Sequence, residues 1–178
     1  GYSIKKSWAF SLIQLWWELG KQEPQGRYSV GVFQQAISHP LIQRFLKRKN
    51  YEIGHLIQTN DIYVPTRRLE TAKSHVPILN DLFCSHSHAL ISILGNLASL
   101  LEGLLKSIPE ENWDEEAQAM SQAISVVNTL INSLEGQDEL SWKSGKMVLT
   151  QLLQQQKLTF EGNEIRTLHI MGLLETRT

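Results

Sequence analysis

Leu90-Ile-Ser-Ile-Leu-Gly-Asn-Leu-Ala-Ser-Leu-Leu-Glu-Gly-Leu-Leu-Lys106 is the most apolar run of the chain, and its spacing is that of a helix. Leu90, Ile93, Leu97, Leu100 and Leu104 recur at intervals of three and four and form one seam. Leu94, Leu101 and Ile108 stand beside it, so only Ser92, Gly95, Ser99, Glu102 and Lys106 remain as a polar or small stripe. A helix apolar round most of its circumference belongs at the buried centre of a bundle. It is expected to open at Ser85 and to end before Pro109. Ser92, Asn96, Ser99 and Glu102 interrupt the run 89–105 and deny it the character of a membrane span.

Downstream, Asn112 with Glu115 three residues on has the form of a capping box. Trp113, Ala117, Met120, Ile124, Val127, Ile131 and Leu134 then alternate by three and four, and two such helices joined by a short link are expected to pack antiparallel. Gly136 stops the second, and Ser141 caps a last helix carrying Trp142, Val148, Leu149, Leu152 and Leu153. Upstream, Ser7 caps a helix with Trp8, Leu12, Leu15, Trp16 and Leu19 on one face, ending at Gly20. A loop holding Pro24 and Gly26 leads to Ser29, which caps a helix with Val32, Phe33, Ala36 and Ile37. Pro40 opens another that buries Leu41, Ile42, Phe45 and Leu46. Tyr51–Gln58 is expected as a short helix, Asp61–Pro65 as an extended piece, and Ile78, Leu79, Leu82 and Phe83 as a short apolar turn after Pro77.

The helical pattern stops at the C-terminal end. Leu158-Thr-Phe160 alternates, Glu161-Gly-Asn163 is turn chemistry, and Ile165–Met171 reads as a second extended run, so a hairpin around Gly162 is expected there. The fold class is therefore mainly α, a helical bundle with a short C-terminal β-hairpin or strand pair.

With 178 residues, 42% hydrophobic and 20% charged, the composition is that of an ordinary globular domain. The single cysteine, Cys84, excludes a disulfide framework and leads to the expectation of a reducing, cytoplasmic compartment. A formal charge of −1 conceals an asymmetry: residues 1–80 hold eleven Lys/Arg against five Asp/Glu, and residues 81–178 six against thirteen. The densest positive patch is Arg44, Lys47, Arg48 and Lys49 on the outward face of the Pro40 helix, with Arg67-Arg68 further on. These six cations could face a polyanion, and a polarised, solvated surface is the other reading. No base-reading pattern accompanies them, so any binding is expected to be independent of sequence.

Cys84-Ser-His86-Ser-His88 holds metal-ligand residue types, but there is no second cysteine, and on a helix His86 and His88 would point about 200° apart. The carboxylates Glu110, Glu111, Asp114, Glu115 and Glu116 crowd a helix start, where the dipole favours them without catalysis. No G-x-x-x-x-G-K-[ST] loop occurs, so no nucleotide cofactor is expected for this chain and no enzymatic centre is identified in it.

Three stretches resemble the AddB-like helicase/exonuclease subunits, a family with a degenerate superfamily 1 helicase module and a PD-(D/E)XK nuclease. They are Gly1-Tyr-Ser-Ile4, Ser38-His-Pro40, and the C-terminal words Leu158-Thr-Phe-Glu-Gly-Asn-Glu and His169-Ile-Met-Gly-Leu-Leu-Glu-Thr-Arg177. The family text continues Leu-Asp-Phe directly after the position of Thr178. Within the motif, Met171, Gly172, Leu174, Glu175, Thr176 and Arg177 match the family. Gly172, Leu174 and Arg177 stand where active helicases have the Thr, His and Lys that couple nucleotide to DNA.

The resemblance implies that residues 1–6 close a strand of a RecA-like domain, 7–157 form a helical insertion similar to the 2B region, and 158–178 return to the same sheet. It implies a non-catalytic scaffold in a subunit acting in double-strand break repair and recombination, with Arg44, Lys47, Arg48, Lys49, Arg67 and Arg68 as candidate phosphate contacts to duplex DNA. The partners would be the rest of the parent chain and a helicase subunit, and the nuclease would lie outside this stretch. Strands parted from their neighbours should also pair between copies of the isolated chain. The alternative is a free-standing helical protein-interaction module whose seams are partner surfaces.

Overall fold

The computed structural model describes residues 2–136 and 140–158. The expected strands beyond Leu158 and the motif at Met171, Gly172, Leu174, Glu175, Thr176 and Arg177 lie outside the described residues. More than half of the chain is α-helical, in eight helices among the described residues: α1 (Trp8–Gln22), α2 (Val30–Ser38), α3 (Pro40–Arg48), α4 (Glu70–His75), α5 (Ile78–Leu82), α6 (Leu90–Lys106), α7 (Glu115–Leu134) and α8 (Trp142–Gln154). Among the described residues two small antiparallel pairs join β1 (Tyr2–Ser3) to β4 (Lys157–Leu158) and β2 (Arg27–Ser29) to β3 (Tyr63–Pro65).

The most extensive helix–helix contact is between α6 and α7, as their matching seams require. Every seam residue of α6 is buried. On α7 the buried set is wider than the single seam, because α1 and α8 pack on it as well as α6. Ala123, Val126 and Leu130 go inside, while Ile124 and Ile131 are only partly covered. Trp113, placed by periodicity at the head of that seam, is 37% exposed on the connection, its indole N–H donating to the Ile108 carbonyl at 3.2 Å. The cap is Asp114, whose Oδ1 accepts the Ala117 N–H at 3.0 Å, and not Asn112, which sits in a separate turn at Glu110–Asn112.

α6 begins at Leu90 and not at Ser85. The Ser85 hydroxyl is engaged locally, accepting the Ser87 N–H at 3.3 Å, and this offers the backbone an alternative to a helical turn. The released segment tucks His86 into the body, where it is 7% exposed against the rings of Trp16 and Trp17 at centroid distances of 4.4 and 5.3 Å. This explains Gly20. α1 does not stop there but runs to Gln22, and a Cβ at Gly20 would fall inside the His86 imidazole. Gly20 is an approach site for a ring and not a terminator.

Gly20→Ala is therefore expected to cost about 2–3 kcal/mol by urea unfolding, since overpacking outweighs the gain in helix propensity of about 1 kcal/mol. In a His86→Ala background the same change should be neutral or stabilising. A stabilised Gly20→Ala single variant would refute the packing argument.

α1 starts where Ser7 predicts, its Oγ accepting the Phe10 N–H at 3.1 Å. It is surrounded by α2, α3, α6 and α7, so Trp16 and Trp17 are both buried, although they leave the helix about 100° apart. Tyr51–Gln58 is not an α-helix: Asn50 ends α3 in the left-handed region at φ 52°, and only the turn Gly54–Leu56 follows. The larger sheet lies in the N-terminal half, pairing Arg27 with Pro65, Tyr28 with Val64 and Ser29 with Tyr63. No sheet was expected there, and it is not at the C-terminal end.

In the second sheet Tyr2 faces Leu158 and Ser3 faces Lys157. The Ile4 N–H donates to the Gln156 carbonyl at 3.5 Å, and Gln122 of α7 reaches Gln156 Oε1 at 3.0 Å and the Lys157 carbonyl at 3.4 Å. The segments that lead into α1 and out of α8 are thus held side by side.

Candidate nucleic-acid interface

α3 sorts its side chains cleanly. Leu41, Ile42, Phe45 and Leu46 are buried against α1, α2 and α6, and this turns Arg44, Lys47, Arg48 and Lys49 to solvent. His39 fixes the start of the helix: Nδ1 accepts the Leu41 N–H at 3.2 Å, with Pro40 at the first helical position, where a missing N–H costs nothing. Nδ1 being an acceptor, Nε2 carries the proton and donates to Ser11 Oγ at 2.8 Å, and that hydroxyl donates to the Trp8 carbonyl at 3.0 Å. Burial pushes the His39 imidazole down to about 4.

Each cation has a local contact, and none is withdrawn from water. The Arg44 guanidinium lies 4.5 Å over the Trp8 ring and 3.7 Å from Asp114 Oδ2. Both partners of this ion pair are about half exposed, so it contributes under about 1 kcal/mol. Arg48 donates to Ser107 Oγ at 3.1 Å, joining the end of α3 to the end of α6, and Lys49 stands 5.6 Å over Phe45. Lys47 lines a cavity of about 450 Å³ with the polar side chains Gln34, Ser38, Gln43 and Asn50, and with Glu52 and His55. Lys47, Arg48 and Lys49 also crowd a helix C-terminus, where cations complement the negative end of the dipole.

Arg67 and Arg68 behave differently from each other. Arg67 is exposed on the turn Thr66–Leu69. Arg68 is partly buried and committed to the Asp61 carboxylate at 2.6 Å and the Leu56 carbonyl at 3.2 Å, so it fastens the loop before β3. The Arg68 hydrogen bond, with the Gln58 N–H, holds the Asp61 carboxyl below its ordinary value. The turn packs against β3 and α4, whereas α3 packs against α1, α2 and α6, so the two basic segments ride on different neighbours. Four of the six cations are therefore exposed on one helix and its cap, Arg67 stands on another element, and Arg68 positions a loop.

The acidic run is explained by helix starts. Besides the Asp114 cap, Glu116 Oε2 accepts the Trp8 N–H at 2.7 Å, so a carboxylate of α7 satisfies the first turn of α1. Cys84 and His86 are both buried, and burial pushes the Cys84 thiol up to about 11, away from a reactive thiolate. Burial pushes the His86 imidazole down to about 4, and both its ring nitrogens are buried without a hydrogen-bond partner. Among the described residues no three His, Cys, Asp or Glu side chains stand close enough to hold a metal ion, and no helix is long and apolar enough to cross a membrane.

One basic grouping is invisible to a count by halves. Lys21 of α1 and Lys143 and Lys146 of α8 line a common groove, although two of the three come from the acidic half. Compared with family models, with curated proteins and with solved structures, the chain has no match.

Proposed function

We propose that this chain is a non-catalytic helical insertion domain of an AddB-like DNA helicase/exonuclease subunit, a scaffold acting in double-strand break repair and recombination in the cytoplasm. Its neighbours in that role are the remainder of the parent chain, whose RecA-like sheet β1 and β4 would join, and a helicase partner subunit. Arg44, Lys47, Arg48 and Lys49 offer a sequence-independent contact to duplex DNA, with Arg67 as an outlying cation.

The observation that supports the reading is the pairing of Tyr2–Ser3 with Lys157–Leu158, which brings the entry and the exit of the helical body together. An insertion needs that geometry, because it must leave and rejoin one host sheet. Among the described residues neither strand has a second neighbour. The outer edges are therefore where host strands would add, or where two copies of the isolated chain would pair.

The test is the reading frame from which the chain comes. Leu-Asp-Phe directly after Thr178 and RecA-like strands encoded before Gly1 are the expected result, and a frame with neither overturns the reading.

A further inference from the structure

The groove between α1 and α8 has a volume of about 590 Å³ and is lined by Gln14, Lys21, Trp142, Lys143, Lys146 and Met147, with Thr150 and Gln151 completing it. Three lysines line it with no carboxylate, and among the described residues none of the three is in a salt bridge. Trp142 is half-buried, its indole stacked behind by Trp17 at 6.4 Å and an interplanar angle of 23°, so the ring is held as a fixed surface. Two amide atoms of the lining, Gln14 Nε2 and Gln151 Oε1, are buried without hydrogen-bond partners. One is a donor and the other an acceptor.

Lys21 also lines a second cavity of about 260 Å³, which continues past Gln22 and Gln25 to Arg27 and Tyr63. There the Arg27 guanidinium lies 3.8 Å over the Tyr63 ring, which is 43% exposed. Glu18 is the one carboxylate among the described residues lining either cavity, and it accepts from the Gln22 amide at 3.4 Å. Lys21 is the lining residue that the two cavities share, and cations beside aromatic rings are the two elements that non-specific single-strand recognition combines, the cations following the backbone and the rings taking bases.

We propose that this groove binds single-stranded nucleic acid, with a base against Trp142 and the adjoining phosphates neutralised by Lys21, Lys143 and Lys146. Arg27 and Tyr63 extend the track. The site is distinct from the α3 surface and does not depend on the family reading, so the reading-frame test and this one fail separately. A duplex is a poor occupant, because its bases are stacked and unavailable to the indole. DNA and RNA strands share the chemistry that the groove reads.

The experiment uses the full 178-residue chain with fluorescent oligothymidylate and oligouridylate of about twelve nucleotides, a length within the range of single-strand sites. Binding at low salt is expected for at least one of them, with quenching of tryptophan emission. Lys143→Glu with Lys146→Glu, on the solvent side of α8, should weaken that binding by about tenfold or more while leaving the helical circular dichroism intact. Trp142→Phe, which keeps an aromatic ring against Trp17, should remove most of the quenching. The proposal is overturned if neither oligonucleotide binds, if the double charge reversal binds as well as the original, if Trp142→Phe leaves the quenching unchanged, or if a duplex of equal length competes as effectively as the single strand.

Discussion

Acidification from neutral pH to about 4.5 is expected to cost this fold several kcal/mol, most of it through two histidines. His39 and His86 both have imidazoles pushed down to about 4 by burial, against an unfolded value of about 6.5. Between those values the unfolded chain binds more protons than the folded one, so stability rises with pH there. The stabilisation is fully present above about 6.5 and is lost as pH falls toward 4. A difference of that size has a ceiling of about 3 kcal/mol per group, and the two together are comparable with the whole stability of a small domain, about 5–15 kcal/mol.

The structural reasons differ. A second proton on His39 removes the acceptor that caps α3 at Leu41. A proton on His86 places a charge among Trp16, Trp17 and the backbone of Gly20 with no partner to receive it. Asp81 and Glu116 oppose the trend, because burial outweighs their hydrogen bonds and raises their carboxyls. They therefore favour the folded state as pH falls. Urea unfolding between pH 7 and 4.5 measures the net effect. His39→Asn keeps a side-chain oxygen for the cap and does not titrate, so it should flatten the dependence by about half. A stability that does not change across this range in the original chain would show that neither ring is held neutral.

Long elements were legible and short or crowded ones were not. The seams of α6 and α7 were plain because each helix repeats its pattern over four or more turns, and tertiary context has little room to overrule so much periodicity. Ser7 was legible as a cap because it is followed at once by the first apolar residue of α1. Ser85 carries the same residue type and fails as a cap, because Ser87 captures its hydroxyl and His86 finds a cavity among distant tryptophans. Nothing local encodes that cavity. Gly20 looks like a helix stop in the sequence for the same reason: its lack of a side chain serves a ring sixty-six residues further along the chain. β2 and β3 are three residues each, too short for alternation to register. At the candidate interface, the outward face of α3 could be read from its spacing, but the capture of Arg68 by Asp61 could not. The groove of Lys21, Lys143 and Lys146 depends on side chains from two helices at opposite ends of the chain meeting at one cavity.

Duplex binding by the α3 surface is expected to fall steeply with salt. Arg44, Lys47, Arg48 and Lys49 are all exposed on one short helix and its cap, so up to four phosphates are within the reach of one element. With a slope of about −0.9 per phosphate neutralised, four contacts lose about two decades of affinity between roughly 50 and 200 mM salt. Arg67 adds to this only if the duplex also touches the turn Thr66–Leu69, and Arg68 adds nothing while it holds Asp61. The acidic N-terminal turn of α7 works against the contact, since Asp114 sits 3.7 Å from Arg44 and faces the same solvent.

Charge reversal separates the outcomes. Arg48→Glu with Lys49→Glu should reduce the salt slope to about half and weaken duplex binding at low salt by at least about tenfold. Its cost in stability should be within about 1 kcal/mol, because the bond from Arg48 to Ser107 is exposed and Lys49 stands free of any ion pair among the described residues. If the reversed protein binds duplex as well as the original at low salt, the cations of α3 do no more than complement its negative helix end. The DNA-contact part of the proposed function then falls, while the insertion geometry of β1 and β4 is left standing.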